Sequence, residues 1–348
     1  MFDVENIVRD NIKRLKPYSS ARDEFQGEAS VFLDANENAF GSPLPESYNR
    51  YPDPLQRELK AKISGIKGVP AKNIFLGNGS DEAIDILFRI FCEPKRDNVI
   101  ICPPTYGMYE VSANINDVAI NKINLLPSFD LDVPGILENT DAQSKLLFIC
   151  SPNNPTANSV HPDDVELLLQ KFAGIVVIDE AYINYSAQPS FIKLLTEYAN
   201  LVVLQTFSKA WGLAGLRLGM AFASESIINY MNRVKPPYNV NQKTQLLAME
   251  ALDNIQWVNE HIKQTVIERK KLEESLKALT MVQKIYRSDA NFILVRVVDA
   301  RGIYNYLISK GIVVRDRSKV TLCEECLRIT VGTEKENRIL IEALKQYK

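Results

Sequence analysis

The sequence predicts an α/β fold: a large unit on a central, mostly parallel sheet flanked by helices, followed by a smaller α+β unit. Three observations predict it. Short apolar runs without alternation recur through the middle of the chain, as strands buried on both faces require. Each run ends in a turn rich in Gly, Pro or polar residues, after which apolar positions recur at helical spacing. From about residue 246 the texture changes to longer helical periods mixed with separate short strands.

The first residues place Val4, Ile7, Val8 and Ile12 among acids and bases, a short amphipathic helix with no uninterrupted apolar core of the signal-peptide kind. Leu33-Asp34-Ala35-Asn36-Glu37-Asn38 has turn chemistry and no helical period. We therefore expect 1–45 to associate with the small unit and the cleft, 46–245 to form the large unit and 246–348 the small one. In the large unit, Asn73–Leu76 reads as a strand entering the turn Gly77-Asn78-Gly79-Ser80-Asp81, with Ile84, Leu87, Phe88 and Phe91 marking the helix that follows. Val99–Cys102 runs into Pro103-Pro104-Thr105-Tyr106, and Leu146–Cys150 into Ser151-Pro152-Asn153-Asn154-Pro155-Thr156. Ile175–Ile178 ends at Asp179-Glu180-Ala181-Tyr182, and Leu201–Leu204 at Gln205-Thr206-Phe207-Ser208-Lys209. In the small unit Trp257–Leu279 is helical, and Phe292–Val295, Ile312–Val314 and Leu327–Val331 are strands. Ligands of open α/β sheets sit outside the carboxyl ends of the strands, so the polar strand ends are candidates for one shared site.

Composition narrows the function. The 348 residues carry 41 Lys+Arg against 43 Asp+Glu, a formal net charge of −2, which excludes a general nucleic-acid binder. With 46% hydrophobic and 9% aromatic residues the chain has stock for a large core, and its length favours two units over one. Nowhere does an apolar stretch approach the roughly 20 residues needed to cross a bilayer, so a soluble cytoplasmic protein is expected. Five cysteines, an odd number spread thinly, argue for reduced thiols. Cys323 and Cys326 form a CxxC, but His161 and His261 are the only histidines and neither is placed to complete a metal site, so none is expected. The same shortage disfavours Ser-His-Asp or Cys-His chemistry. Gly77-Asn78-Gly79 lacks the full pattern of a nucleotide-binding loop.

Lys209 carries the functional reading. Thr206 and Ser208 precede it, and Arg217 follows within Gly212–Gly219, so hydroxyls and a fixed cation make an anion cradle around an amine. A phosphate beside a lysine points to pyridoxal phosphate, whose aldehyde condenses with lysine and whose ring acts as an electron sink. That ring requires a carboxylate beside its nitrogen, a place for Asp179; donors to its phenolic oxygen, for which Asn154 and Tyr182 are available; and an aromatic platform, which Tyr106 offers. The helix N-terminus at Ser80 and Asp81 suits the phosphate, provided the Asp81 carboxylate points away.

On these residues the chain resembles the fold type I, class I/II pyridoxal-phosphate-dependent aminotransferases, and within them those that act on histidinol phosphate. The resemblance runs from Lys16-Pro17-Tyr18 to Gly332, most specifically in Arg50–Pro54, Cys102–Tyr109, Ser151–Thr156, Thr206–Arg217 and Cys326–Gly332. It implies that Lys209 is the Schiff-base lysine, Asp179 the partner of the ring nitrogen, Asn154 and Tyr182 the donors to the phenolic oxygen, and Tyr106 the stacking ring. It places Ser80, Asp81, Thr206, Ser208 and Arg217 at the phosphate. Tyr51 matches a tyrosine that reaches the neighbouring subunit's cofactor, which implies a homodimer. Arg328 and Arg315, with Tyr18 and Asn36, fall where such enzymes bind substrate. The implied reaction moves an amino group between L-histidinol phosphate and 2-oxoglutarate, giving imidazole acetol phosphate and L-glutamate, a step of histidine biosynthesis. A threonine-phosphate decarboxylase or an aromatic aminotransferase of the same fold would share Asp179, Lys209 and Arg217. A regulator using such a domain as a sensor usually carries a DNA-binding domain, for which this chain has no spare length. One departure stands out: Ala157 occupies a position after Asn-Pro-Thr where such enzymes usually carry glycine.

Overall fold

The structure is a computed structural model that describes residues 2–18 and 30–347. Its elements are α1 (Asp10–Lys13), α2 (Arg57–Lys67), β1 (Ile74–Asn78), α3 (Gly79–Phe91), β2 (Asn98–Ile101), α4 (Met108–Ile115), β3 (Ala119–Lys122), α5 (Val133–Glu138), β4 (Ser144–Cys150), α6 (Pro162–Lys171), β5 (Ile175–Asp179), β6 (Leu201–Thr206) and β7 (Leu218–Ala223). There follow α7 (Glu225–Val234), α8 (Gln242–Asp253), α9 (Ile255–Lys277), β8 (Val282–Ile285), β9 (Phe292–Val297), α10 (Ala300–Ser309), β10 (Arg315–Asp316), β11 (Cys326–Thr330) and α11 (Glu334–Gln346).

The first seven strands form one sheet in the order β1-β7-β6-β5-β4-β2-β3. Strands β3, β2, β4, β5 and β6 run parallel, and β7 is antiparallel to both β6 and β1. Burial explains the non-alternating runs. Along β4, Leu147 and Ile149 enter the core on one face while Leu146, Phe148 and Cys150 enter the core on the other. Along β5, Val176 and Ile178 divide from Ile175 and Val177 in the same way. Both faces of these two strands are covered, so from Leu146 in β4 and Ile175 in β5 no position is left for a polar residue until the strand ends.

Strand β7 departs from the sequence reading, which took Gly212–Gly219 as a glycine-rich stretch and placed no strand after it. Gly219 is what lets β7 enter: a Cβ there would lie 2.2 Å from the Gly79 carbonyl carbon and the Ser80 nitrogen. The absence of a side chain brings the end of β1, the start of α3 and β7 together, and the Gly79 amide donates to the Arg217 carbonyl at 2.7 Å.

The second sheet is antiparallel, in the order β10-β11-β9-β8. It packs with α10 and α11 around a third core. Helix α9, 23 residues and about 34 Å long, links the units, with Val258 in a core of the large sheet and Leu272 and Leu276 in that of the small one. Ile312–Val314 is not a strand: pairing begins at Arg315, and Val313 is exposed.

The N-terminus corrects a second expectation. Val4, Val8 and Ile12 pack into the large unit's core rather than against the small unit, and they do so from a 3₁₀ turn at Val4–Asn6, a bend at Val8 and the short α1 instead of the single amphipathic helix expected. Arg9 pairs with Glu93 at 3.0 Å and the Tyr230 hydroxyl donates to Glu5 at 2.8 Å, which tie the segment to α7 and the end of α3.

Candidate active site

The carboxyl ends of β1, β4, β5 and β6 and the start of β7 converge on a cavity of about 160 Å³. It is lined by Ser80, Asp81, Tyr106, Asn154, Asp179, Tyr182, Thr206, Ser208, Lys209 and Arg217, among others. Residues separated by more than 130 positions in sequence thus meet because each follows a strand whose end opens on the same side.

Asp179 closes β5 at the floor, nearly fully buried. Burial pushes its carboxyl up to about 6, against the stabilising hydrogen bonds from the Tyr109 hydroxyl, at 2.8 Å, and the Ala181 amide, at 3.1 Å. Tyr109 was not singled out in the sequence. It is fully buried in α4 and stacks on Phe148 with ring centroids 4.8 Å apart. Its signal was its place three residues after Tyr106, against whose ring it packs edge-on with centroids 5.6 Å apart.

At the opposite end, α3 offers its N-terminus with the Ser80 and Ser208 hydroxyls beside it, neither bonded to another described residue. Arg217 stands over this end with a left-handed backbone, φ 52°. Gly79 has φ 74°, and a Cβ on it would come within 2.8 Å of Arg217 Nη2, so glycine is needed both for the turn and for the guanidinium. Two of the residues expected at the phosphate, Asp81 and Thr206, line this cavity and are bonded within the chain. Asp81 does not point away: it accepts from Arg217 at 3.3 Å and from the Tyr106 hydroxyl at 3.1 Å, which fixes the arginine at the rim. The Thr206 hydroxyl donates to the Leu218 carbonyl at 3.3 Å and accepts from the Ser208 amide at 3.0 Å, so it shapes the loop between β6 and Lys209.

Lys209 lies between the two ends with its side chain open at the mouth and Nζ 5.7 Å from the centre of the Tyr182 ring. The surrounding walls, and after them the Arg328 guanidinium, hold its amine below the ordinary lysine value, although Asp179 pulls the other way. Arg328, on β11, reaches across from the small sheet and donates to Asn154 Oδ1 while lying 5.3 Å from the centre of the Phe292 ring. With its oxygen taken, Asn154 has its NH2 left as the donor for the cavity. Tyr182 packs edge-on to Phe292 at 5.0 Å.

Arg315 faces Arg328 across the β10–β11 pair. The structure does not bring Tyr51, Asn36 or Tyr18 to the cavity of their own chain. Tyr51 stacks on Tyr238 at 4.4 Å, and with Asn36 lines a separate hollow of about 780 Å³, while Tyr18 is 74% exposed.

The model for the family described as aminotransferase class I and II matches residues 33–344. The chain belongs to the class I and II aminotransferases. Among relatives of this aminotransferase, the histidinol-phosphate aminotransferase of Cytophaga hutchinsonii is 54% identical over 99% of both chains. That of Parabacteroides distasonis is 54% identical over 100% of both. Among solved structures, the histidinol-phosphate aminotransferase from Clostridium acetobutylicum superposes with a TM-score of 0.79 at 24% identity, covering 86% of this chain and 90% of the other. The enzyme from Sinorhizobium meliloti, solved in complex with pyridoxal-5'-phosphate, gives 0.78 at 22% identity, with 89% of each chain covered.

The cofactor of this aminotransferase is pyridoxal phosphate, and the residues present fit it. A buried acid, a lysine with a depressed amine, two donors and a helix N-terminus under an arginine stand around one slot, and a side chain at Gly79 on its wall would press on that arginine.

Proposed function

We infer that the protein moves an amino group between L-histidinol phosphate and 2-oxoglutarate, forming imidazole acetol phosphate and L-glutamate in histidine biosynthesis. The observation that carries this reading is Arg328 bonded to Asn154. A cation for an anionic substrate is thereby held at the edge of the cofactor slot, in a chain 54% identical over its full length to histidinol-phosphate aminotransferases.

When bound, pyridoxal phosphate supplies an aldehyde that captures amines and a protonated ring that accepts the electrons released at the substrate α-carbon. The chain's residues do the rest. Asp179 holds the positive charge on the ring nitrogen, and Tyr109 and the Ala181 amide keep the carboxylate oriented. Asn154 and Tyr182 would donate to the ring's phenolic oxygen, and Tyr106, on the wall of the same cavity, would supply an aromatic surface for the ring. The start of α3, Ser80, Ser208 and Arg217 take the phosphate. Lys209 Nζ would take the proton from the substrate α-carbon and pass it to the cofactor's aldehyde carbon in the same half-reaction, the opposite half-reaction moving a proton the other way, a task its depressed amine suits. Arg328 and Arg315 receive the substrate's anionic end, carboxylate or phosphate, since a guanidinium fork accepts either. Glutamate and histidinol phosphate use the site in alternation, with ping-pong kinetics.

Exposed apolar side chains gather in the N-terminal segment, with Leu33 at 85% and Phe40 and Leu44 also bare, beside the hollow around Tyr51. A second copy of the chain covers this surface in our reading, and Tyr51, Asn36 and Tyr18 then serve the partner's site. The homodimer works in the cytoplasm, where its five buried thiols stay reduced.

A threonine-phosphate decarboxylase from Porphyromonas gingivalis shares the fold, with a TM-score of 0.73 at 22% identity. Adding amines one at a time to the purified holoenzyme separates the two activities. Conversion of the cofactor spectrum by glutamate and histidinol phosphate, with little response to phosphothreonine, is the expected result. Carbon dioxide release from phosphothreonine without a response to histidinol phosphate overturns the reading.

A further inference from the structure

Outside the cofactor slot, three arginines gather on one face of the small sheet. Arg315 is opposite Arg328, and the Arg317 amide donates to the Cys326 carbonyl at 2.8 Å, which extends the same register by one step. Directly opposed residues share a face, and faces alternate along a strand. Arg315, Arg317 and Arg328 therefore project to the side on which Cys326 enters a core of the large sheet. Leu327 and Ile329 project to the small unit's own core. Asp316, between two of the arginines, falls on the other face and pairs with Arg301 at 3.2 Å. Among the described residues no carboxylate is within ion-pair distance of Arg315, Arg317 or Arg328.

Arg317 is half-buried, and burial first, then Arg315, opposes its charge; at Arg328 burial is followed by Arg317. Asp316 favours the charge on Arg317 only from a distance, being paired with Arg301, and cations gathered in this way with no carboxylate in contact are costly until an anion arrives. Two of them suffice for a carboxylate, which has two oxygens and one charge. A phosphate ester carries close to two charges at neutral pH on three terminal oxygens.

We propose that Arg317 is a specificity residue, the third guanidinium of an anion site in which Arg315 and Arg328 hold any acidic substrate end and Arg317 favours the phosphate. This proposal rests on the functional reading above, in which one site alternates between a phosphate ester and a dicarboxylate.

The test compares wild-type holoenzyme with Arg317→Gln and Arg317→Lys. Each half-reaction is followed separately through the cofactor spectrum, and inorganic phosphate is titrated as a competitor of glutamate. Arg317→Gln is expected to lower kcat/KM for histidinol phosphate by about 10-fold to 100-fold, mainly through KM, and for glutamate by less than about 3-fold. Inhibition by inorganic phosphate weakens in parallel, and Arg317→Lys, which keeps the charge but loses the fork, recovers part of both effects. Equal losses with both amines, or none with either, overturn the proposal. Should wild type fail to respond to histidinol phosphate, the functional reading falls by itself; the inorganic-phosphate arm still decides for Arg317, whose removal must then weaken phosphate inhibition or the proposal falls too.

Discussion

In the cofactor slot the carboxylates already have partners: Asp179 is held by Tyr109 and the Ala181 amide, and Asp81 by Arg217 and Tyr106. On the small sheet, three arginines share a face, and no carboxylate of the described residues lies within ion-pair distance of them. One region is set in position before anything binds; the other holds charge in reserve. The contrast matches a resident group on one side and exchanging substrates on the other. A resident cofactor gains from rigid, satisfied walls, whereas a substrate site that paired its arginines internally would have to break those pairs in every cycle.

The largest effect should come from the slot. Lys209→Ala is expected to lower turnover by about 10³-fold or more, because proton transfer and capture of the cofactor aldehyde are lost together, while the fold and the phosphate cradle are kept. Borohydride reduction of wild-type holoenzyme followed by peptide mapping should place the cofactor at Lys209. A tag on any other residue breaks the assignment.

A second test uses pH and the apoenzyme. Asp179 titrates at about 6 in the folded chain because burial opposes its charge, against about 3.9 when unfolded. Between these values the unfolded chain has released a proton that the folded chain retains, so stability falls as pH rises from about 4 to about 6. Two units correspond to about 3 kcal/mol at most. Asp179→Asn apoenzyme should lack this part of the slope in denaturant titrations. The slope should also shrink in wild type when pyridoxal phosphate is bound, since a protonated ring nitrogen favours the carboxylate. Identical slopes in all three would mean that the floor of the slot is not strained by its charge.

On the arginine face, Arg328→Ala is expected to reduce kcat/KM of both half-reactions by about 10-fold to 100-fold, the worth of a charge-assisted bond of roughly 1.5 to 3 kcal/mol. Loss in only one of them would show that the two substrates do not share this cation.

How much of this was legible in the sequence follows the same division. The slot was largely readable, because each of its residues follows an apolar strand and strand ends converge by topology alone. Tyr109 was not, since a tyrosine among apolar residues in a helix reads as core, and only its hydroxyl on Asp179 distinguishes it. Strand β7 was hidden because Gly219, indispensable for its close approach to α3, looks like loop chemistry. Arg317 was passed over for a different reason: its face is decided by the register of β10 on β11, and the apolar run Ile312–Val314 drew the expected strand three residues too early. The packing of Val4, Val8 and Ile12 on the large unit could not be read either, because apolar residues spaced in this way state that a segment has a buried side and leave open both the turn that presents it and the core that receives it.

The smallest expected effect concerns the loop that carries Asn154. Ala157 is wholly buried with φ 69°; its amide donates to the Asn153 carbonyl at 2.7 Å, and its carbonyl accepts from the Asp289 amide at 2.8 Å. A side chain in this left-handed conformation costs roughly 1 to 2 kcal/mol. Glycine would relieve that cost but loses about 0.4 to 1 kcal/mol through the freer unfolded chain and about 0.8 kcal/mol of buried methyl. The terms nearly cancel, so Ala157→Gly should change stability by less than about 1 kcal/mol in either direction and leave kcat unaltered. Ala157→Val adds a β-branch where the backbone tolerates it least and should cost more than about 2 kcal/mol. Because the strained residue lies three positions from Asn154, the valine should also lower kcat, by displacing the amide that Arg328 holds. Equal denaturation midpoints for the alanine and valine enzymes would mean that this loop relaxes freely, and the rigidity attributed to the slot would then have to come from the strand ends alone.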